Sequence, residues 1–214
     1  MSLQTDFSTI LQQPIFQALK KTVADRNIEA YIIGGFVRDH LLQRNFKKDI
    51  DIVVIGSGID LAKAVHQELG RGLVSEPAIS SAVIAVTLLA NSENQVLKQR
   101  WLTAHAEGDA VLAVAWQEQG ERDSQRPLCT RATASNGGYT LEGRKILVWH
   151  GAGAQAVIVS ALLDGAVALF LMPADTAGVS VQDYPTFDGA RSATINFTDV
   201  TLSAEQLIAS GARR

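Results

Sequence analysis

Leu69-Gly70-Arg71-Gly72 is the stretch on which the reading of this chain turns. Upstream of it, short apolar runs alternate with helical spacing, the pattern of a compact α/β unit. Downstream, two helical segments give way to short runs punctuated by turns, the pattern of a β-domain. No Pro- or Ser-rich spacer separates the two, so the tetrapeptide does not read as an ordinary inter-domain linker. It reads as a truncation point, with one partial unit over residues 1–70, a helical segment over 71–109 and a β-domain over 110–214.

A length of 214 residues allows one large domain or two small ones. Hydrophobic content of 47% is ample for a core, and a net charge of −3 gives no reason to expect a nucleic-acid or anionic-membrane surface. The single cysteine, Cys129, excludes an intramolecular disulfide and fits a reducing compartment; it reads as a small hydrophobe near a strand start. The N-terminus lacks the basic region and apolar run of a signal peptide, and the apolar stretches Ala82–Ala90 and Ala166–Met172 are too short to span a bilayer. A soluble, cytoplasmic protein with no membrane association is expected.

Pro14 suits a first helical turn; Ile15, Phe16, Leu19 and Val23 form one helical face, and Asn27 closes it. Ala30–Ile33 reads as a buried strand ended by Gly34-Gly35, with helical spacing over Phe36–Leu42. Ile50–Ile55 reads as a second strand, and a helix follows from Asp60 to Leu69 with Leu61, Ala62, Val65 and Leu69 on one face. In KKDIDIVVIG, residues 47–56, strand periodicity places Asp49 and Asp51 on one side. Paired carboxylates repel unless a cation neutralises them, which suits Mg²⁺. Two metals held that way can activate a 3′-hydroxyl and stabilise a leaving pyrophosphate. Gly34 and Gly35 at a strand-to-helix turn let backbone amides approach phosphates, and Arg38 adds a charge-assisted contact. Taken singly, such features are commonplace: D-x-D at a strand edge is usually structural or solvated.

The ordered set YIIGGFVRDHLLQRNFKKDIDIVVIGSGIDLAKAV, residues 31–65, resembles the head of the tRNA CCA-adding and poly(A) polymerase family of nucleotidyltransferases. The resemblance spans about residues 12–70 and implies metal binding by Asp49 and Asp51, as the catalytic pair. It implies nucleoside triphosphate binding by Gly34, Gly35 and Arg38, with assistance from Lys48, while Asp39 holds the loop. The family's later nucleotide-selecting motifs and its tRNA-holding helical body have no counterpart here. RNA binding and templated addition are therefore not expected.

Beyond Pro77, the apolar segment Ala78–Ala90 reads as a helix buried on most sides, packing on the first unit's sheet or on another copy of the chain. Ser92-Glu93-Asn94-Gln95 fits a capping box starting a helix to Ala106, with Val96, Leu97, Trp101 and Ala104 as its core face. Val111–Trp116 is apolar throughout and reads as a buried strand. Asn136-Gly137-Gly138 and Asp164-Gly165 are hairpin signals, the second joining Val157–Leu163 to Val167–Met172. Shorter strands are expected at Val179–Asp183 and Ser192–Phe197. Many short strands with regular turns predict a barrel or sandwich.

SENQVLKQRWLTAHAEG (92–108), GGYTLEGRKILV (137–148), LFLMPADTAGVSV (169–181) and ATINFTDVTL (193–202) resemble, in order and spacing, the acyl-CoA dehydrogenases. The resemblance spans about residues 72–209, the end of the N-terminal helical domain plus the middle β-domain. That domain packs in the family against the flavin of FAD and the thioester end of acyl-CoA. Trp116-Gln117-Glu118 stands where a Thr-Glu-Pro type flavin-contact loop usually lies, and Gln117 can still hydrogen-bond a flavin carbonyl. Leu147-Val148-Trp149-His150 stands where a Trp-Ile-Thr/Ser pattern covers the ring, with the tryptophan displaced by two. Trp116, Gln117, Trp149 and His150 are thus the implied cofactor contacts, in the manner of divergent small-subunit members. The segments around Ala177-Gly178 and INFTDV read as structural signatures only. The blander readings are Trp116 and Trp149 as barrel core, His150 as a turn residue, and His66 and His105 as solvated positions on helix faces. The family takes its catalytic base from a C-terminal helical domain that has no counterpart here.

The sequence therefore predicts an α+β chain: a truncated α/β nucleotidyltransferase head, two helices, then an antiparallel β-barrel or sandwich. It predicts a chimeric or truncated protein without a complete catalytic cycle. A residual Mg²⁺-dependent nucleotidyltransferase is one alternative. The other is a flavin or acyl-CoA binding module working as a homo-oligomer or with a partner subunit.

Overall fold

The computed structural model describes residues 11–12, 14–41, 51–72, 75, 77–120 and 129–211. Contacts divide the chain into two compact units, Met1–Val74 and Ser75–Arg214. In the first, α1 (Pro14–Asp25), β1 (Glu29–Ile33), α2 (Gly34–Leu41), β2 (Asp51–Ile55) and α3 (Gly58–Arg71) follow in order. Asn27 takes a left-handed conformation, φ 51°, and its amide bonds the Ala24 carbonyl, which ends α1. Ser57 caps α3 by accepting from the Asp60 amide at 3.2 Å.

β1 and β2 pair antiparallel, Tyr31 opposite Val53 and Ile33 opposite Asp51. Ala30, Ile32 and Ile52 share a cavity with Phe16, Leu19 and Val23 of α1. The other sheet face turns outward: Tyr31 is 50% exposed, Val53 46% and Ile55 61%. The expected buried strand at Ala30–Ile33 is therefore half-exposed, because a two-stranded ribbon covered on one side can bury only alternate residues. On α3 the buried residues are Leu61 and Ala64, while Ala62 is exposed. The face is centred one position away from the one read in the sequence.

The second unit opens with a π-helical segment, Ala78–Ala85, continuing into α4 (Val86–Ala90) and α5 (Gln95–Ala106). The first two replace the single helix expected over Ala78–Ala90. Ser80 and Ser81 point inward, and the Leu112 amide donates to Ser81 Oγ at 2.8 Å. Only one side is covered: Ala85 and Leu89 are fully buried, whereas Ile79 and Val83 are exposed. This helix packs on strands of its own unit, with Leu112, Ile158 and Leu171. The α5 cap is Asn94, not Ser92. Its side chain accepts from the Leu97 amide at 3.0 Å and donates to the carbonyls of Glu205 and Leu207. With the start so placed, Leu97 and Trp101 lie one turn apart on the core face, and Val96 falls outside it, exposed.

Strands β3 (Leu112–Ala115), β4 (Arg131–Ser135), β5 (Gly138–Trp149), β6 (Ala156–Leu163), β7 (Ala166–Pro173), β8 (Val179–Pro185), β9 (Arg191–Ser203) and β10 (Leu207–Ser210) form one eight-stranded sheet. Its path runs β10-β7-β6-β4-β5-β9-β8, with β3 beside β6. Pairing is antiparallel except where β6 meets β3 and β4, both parallel, so the expected antiparallel domain is mostly but not wholly so. Asn136-Gly137 and Asp164-Gly165 all have positive φ, the geometry of type I′ turns, and close the two expected hairpins. Gly178, φ 87°, lies against β9: a Cβ there would sit 2.3 Å from the Thr198 carbonyl oxygen.

Two cores flank β3 and β6. Leu112, Val114, Ala156 and Ile158 face Leu89, Leu97 and Trp101 of the helices. Ala113, Ala115, Val157 and Val159 face inward among Phe170, Met172, Ile195 and Leu202. Burial on both faces is why these strands read as continuous apolar runs. Cys129, expected as a small hydrophobe near a strand start, does lie just before β4, but it is exposed.

Within the inner core lies one charged pair. Lys145 on β5 is 0% exposed and Glu118 4%. Lys145 Nζ donates to Glu118 Oε1 at 2.7 Å, to Ser160 Oγ at 3.1 Å and to the Trp116 carbonyl at 3.3 Å. The Cys129 and Thr130 amides donate to the Glu118 carboxylate at 2.7 and 3.1 Å. Burial alone would raise the Glu118 carboxyl, but the Lys145 ammonium and these hydrogen bonds outweigh it and hold it at about 2. Burial lowers the Lys145 ammonium, against the opposing pull of Glu118.

Breaking a buried pair from one side leaves an uncompensated charge, at a cost of about 3–5 kcal/mol. Lys145→Met and Glu118→Leu are each expected to lower stability by that order in chemical denaturation. The double variant should be less destabilised than the sum of the two. Because the folded Glu118 value lies below its ordinary 4.5, its contribution is present above that pH and fades as pH falls toward about 2. Thermal melts across that range should show the loss, and Glu118→Leu should flatten it.

Candidate functional site

β3 delivers its chain to Trp116-Gln117-Glu118, and β5 runs alongside. The Ile146 amide donates to the Gln117 carbonyl at 2.9 Å. Together with the Lys145 bond to the Trp116 carbonyl, this fastens residues 116–118 to β5 at three consecutive positions. Immediately beyond, the β5–β9 register shifts between Lys145 and Val148, and Leu147 takes a positive φ of 51°. Such a bulge re-aims the side chains that follow it.

The result is an aromatic shelf. The rings of Trp116 and Trp149 meet edge to face, centroids 5.8 Å apart. Trp116 is half-buried; Leu147 is 42% and Trp149 44% exposed. Trp149 is not core, because the bulge turns that end of β5 toward the surface, whereas Trp116 packs partly against the core that the helices cover. The Leu147 amide donates to Tyr184 Oη at 3.1 Å, bringing β8 to the same place.

His150 is the turn residue anticipated, φ 56°, its amide bonded to the Arg191 carbonyl at 2.9 Å. It lines a polar hollow with Asp183 and Arg191, which form an ion pair, so this hollow carries a neutralised charge. Hydrogen bonds from the Thr186 hydroxyl and the Ala190 amide hold the nearby Asp188 carboxyl below its ordinary value. His66 is exposed. His105 is half-buried and contacts the Ala110 carbonyl at 2.9 Å through Nδ1, so it closes a turn rather than facing solvent.

In the first unit, Asp51 begins β2 opposite Ile33, beside Gly34 at the start of α2, where φ is 76°. Gly35 and Arg38 follow on α2, and Arg38 is exposed. Asp49 and Lys48 lie outside the described residues. Among the described residues no group of three or more His, Cys, Asp or Glu could hold a metal ion.

Thus the structure brings Trp116, Gln117 and Trp149 together and puts His150 at the next turn. It adds Lys145 and Tyr184, which the sequence reading did not single out, and gives Glu118, read there only as part of the 116–118 loop, a buried partner. Lys145 carried a usable signal, a charge within an otherwise apolar strand pattern. Tyr184 carried none, since its role depends on a bulge in another strand.

Residues 113–200 match the family model for the acyl-CoA dehydrogenase middle domain, and residues 30–126 match that for the poly A polymerase head domain. Each falls short of half the chain, and the second runs across the boundary between the two units into β3. Acyl-CoA dehydrogenase FadE27 of Mycobacterium tuberculosis is 35% identical over 127 residues, 59% of this chain and 32% of that protein. A solved ChsE4-ChsE5 complex from the same organism matches with a TM-score of 0.62 and 30% identity, over 73% of this chain and 42% of that one. A glutaryl-CoA dehydrogenase from Mycobacterium smegmatis, solved in complex with FADH2, shares the fold at a TM-score of 0.63 and 22% identity, over the same 73% and 42%. No helix among the described residues is long and apolar enough to cross a membrane. By sequence and by fold, the β-rich part of this chain resembles the acyl-CoA dehydrogenases across their middle domain, while its N-terminal part resembles the poly(A) polymerase head by sequence.

Proposed function

We propose that the second unit is a flavin- and acyl-CoA-facing β-domain, joined in one chain to a partial nucleotidyltransferase-like unit. It works with a partner subunit rather than completing a catalytic cycle by itself. In this reading residues 1–70 are the head-like part, 71–109 the helical segment and 110–214 the β-domain. The observation that carries it is the half-exposed Trp116–Trp149 pair, anchored from below by a buried ion pair. The fit to FAD rests on that shelf. A flat conjugated ring needs an apolar face with hydrogen-bonding groups at its rim, and Trp116, Leu147 and Trp149 supply the face. In this reading Gln117 serves the rim, and the bond from the Ile146 amide to its carbonyl, which fixes its backbone, supports that role. When bound, FAD supplies the two-electron acceptor for oxidation of a thioester. Glu118 is bonded to Lys145 and to two backbone amides, so it is not available as the proton-abstracting base. That base comes from elsewhere in the assembly, in keeping with a relative solved as a two-protein complex.

A second reading concerns the first unit. In it Gly34, Gly35, Arg38 and Lys48 hold the phosphates of a nucleoside triphosphate and Asp49 and Asp51 hold Mg²⁺; the pairing of Asp51 with Ile33, next to Gly34, supports it.

Titration with FAD is expected to quench tryptophan fluorescence to saturation and yield a yellow protein. Trp149→Ala should weaken binding by about tenfold or more, the loss of roughly 1–3 kcal/mol for one stacked aromatic. A colourless protein that ignores added FAD would exclude the flavin reading.

For the join, calorimetry should resolve two unfolding transitions, one per unit, and one cooperative transition would contradict it. A continuous product amplified from source DNA across the codons for Leu69–Gly72 is required of a natural fusion. For the first unit, binding of ATP that depends on Mg²⁺ and is lost in Asp51→Asn is the expected outcome. Binding indifferent to both dismisses the nucleotide reading.

A further inference from the structure

Tyr184 brings a phenolic hydroxyl to the aromatic shelf. Strand register places it in one row with Trp149 and Ser192: Trp149 pairs with Ser192, and Ser192 with Tyr184. Residues directly opposite one another share a face of the sheet. Tyr184 and Trp149 therefore stand on the same face, separated only by a small side chain that is itself buried. The Tyr184 ring is half-buried, which limits its freedom, and its hydroxyl lies 3.1 Å from the Leu147 amide.

In that bond the phenolic oxygen is the acceptor. A tyrosine hydroxyl is both donor and acceptor, so its own proton remains to be given. The Leu147 amide reaches it only because the chain bulges there, with a leucine at φ 51°. Positive φ is unfavourable for a residue with a side chain, costing on the order of 1–3 kcal/mol, and clusters where geometry serves a site. The bulge does two things together: it turns Leu147 and Trp149 outward, and it fixes a hydroxyl donor at the edge of the surface they form.

We propose that Tyr184 is a ligand-binding residue of this shelf. Its hydroxyl donates a hydrogen bond to an acceptor atom, a ring nitrogen or carbonyl oxygen, at the edge of a flat heteroaromatic ring lying over Trp116 and Trp149. The proposal rests on the flavin reading above and adds to it the polar group that orients the ring. The apolar shelf supplies affinity without direction, and a single fixed donor selects one orientation of the ring.

The test is Tyr184→Phe in the full chain, which keeps the ring and removes the hydroxyl. FAD affinity should fall about five- to tenfold, as for one net hydrogen bond. The visible absorption band of the bound flavin should shift, because its polar edge has lost a donor. The thermal midpoint should change little, since the Leu147 amide that loses its acceptor is at the surface. A purely structural tyrosine would move the midpoint and leave the flavin spectrum alone, and that result overturns the proposal. So does FAD affinity within twofold of the parent chain, which leaves the flavin reading standing. Weakened binding of acetyl-CoA with unchanged FAD affinity would give the donor to a thioester carbonyl instead, and also overturns it. Failure of the parent chain to bind FAD at all removes both readings together.

Discussion

The Lys145–Glu118 pair is the constraint to which the second unit is built. Taking an ammonium and a carboxylate out of water costs several kcal/mol each, and their attraction offsets this only when the remaining hydrogen-bonding capacity is also met. Here it is met from four directions: residues 116–118 after β3, the amides of Cys129 and Thr130 before β4, Lys145 on β5 and Ser160 on β6. An apolar pair of similar volume would fill the space at less cost, but it would specify no partner. Directional bonds set where the segment leaving β3 must lie and in which register it meets β5. The shelf above inherits its position from that choice.

Much of the second unit was legible because its signals are local. Asn136-Gly137 and Asp164-Gly165 need positive φ, and few other residue pairs accept it so readily. The apolar runs of β3 and β6 announced strands buried on both faces. What escaped was set by tertiary contacts. Asn94 outcompetes Ser92 as a cap because its amide also reaches the carbonyls of Glu205 and Leu207, over a hundred residues away. The π-helical turns place Ser81 against the Leu112 amide, a partner invisible to helical periodicity. Trp116 and Trp149 were read individually as core or platform. Their meeting depends on a register shift that periodicity of two cannot express.

The two units differ in how completely they bury what they carry. The second seals β3 and β6 between two apolar clusters. Among the described residues the first pairs two strands, covers one face of them and leaves Tyr31, Ile33, Val53 and Ile55 turned outward. The family-model match beginning in this unit continues into a strand that packs in the second unit's cores. Functional weight therefore falls on the β-domain, where relatives by sequence and by fold agree.

The end of β5 illustrates how a β-domain shapes a surface without changing its fold. Moving an aromatic by two residues along a strand keeps it on the same face, because the side-chain period is two. In this chain Trp149 lies past the Leu147 bulge, at the end of β5, and beside Trp116. Leu147 lies two residues before it, and the bulge turns both outward. An edge-to-face indole pair presents one ring's face and the other's rim, so the surface is broader and less flat than a single stacked tryptophan would give. A surface of that shape binds a planar ring by area. Direction must then come from fixed polar groups at its margin, and those are set by the same strand register that created the pair.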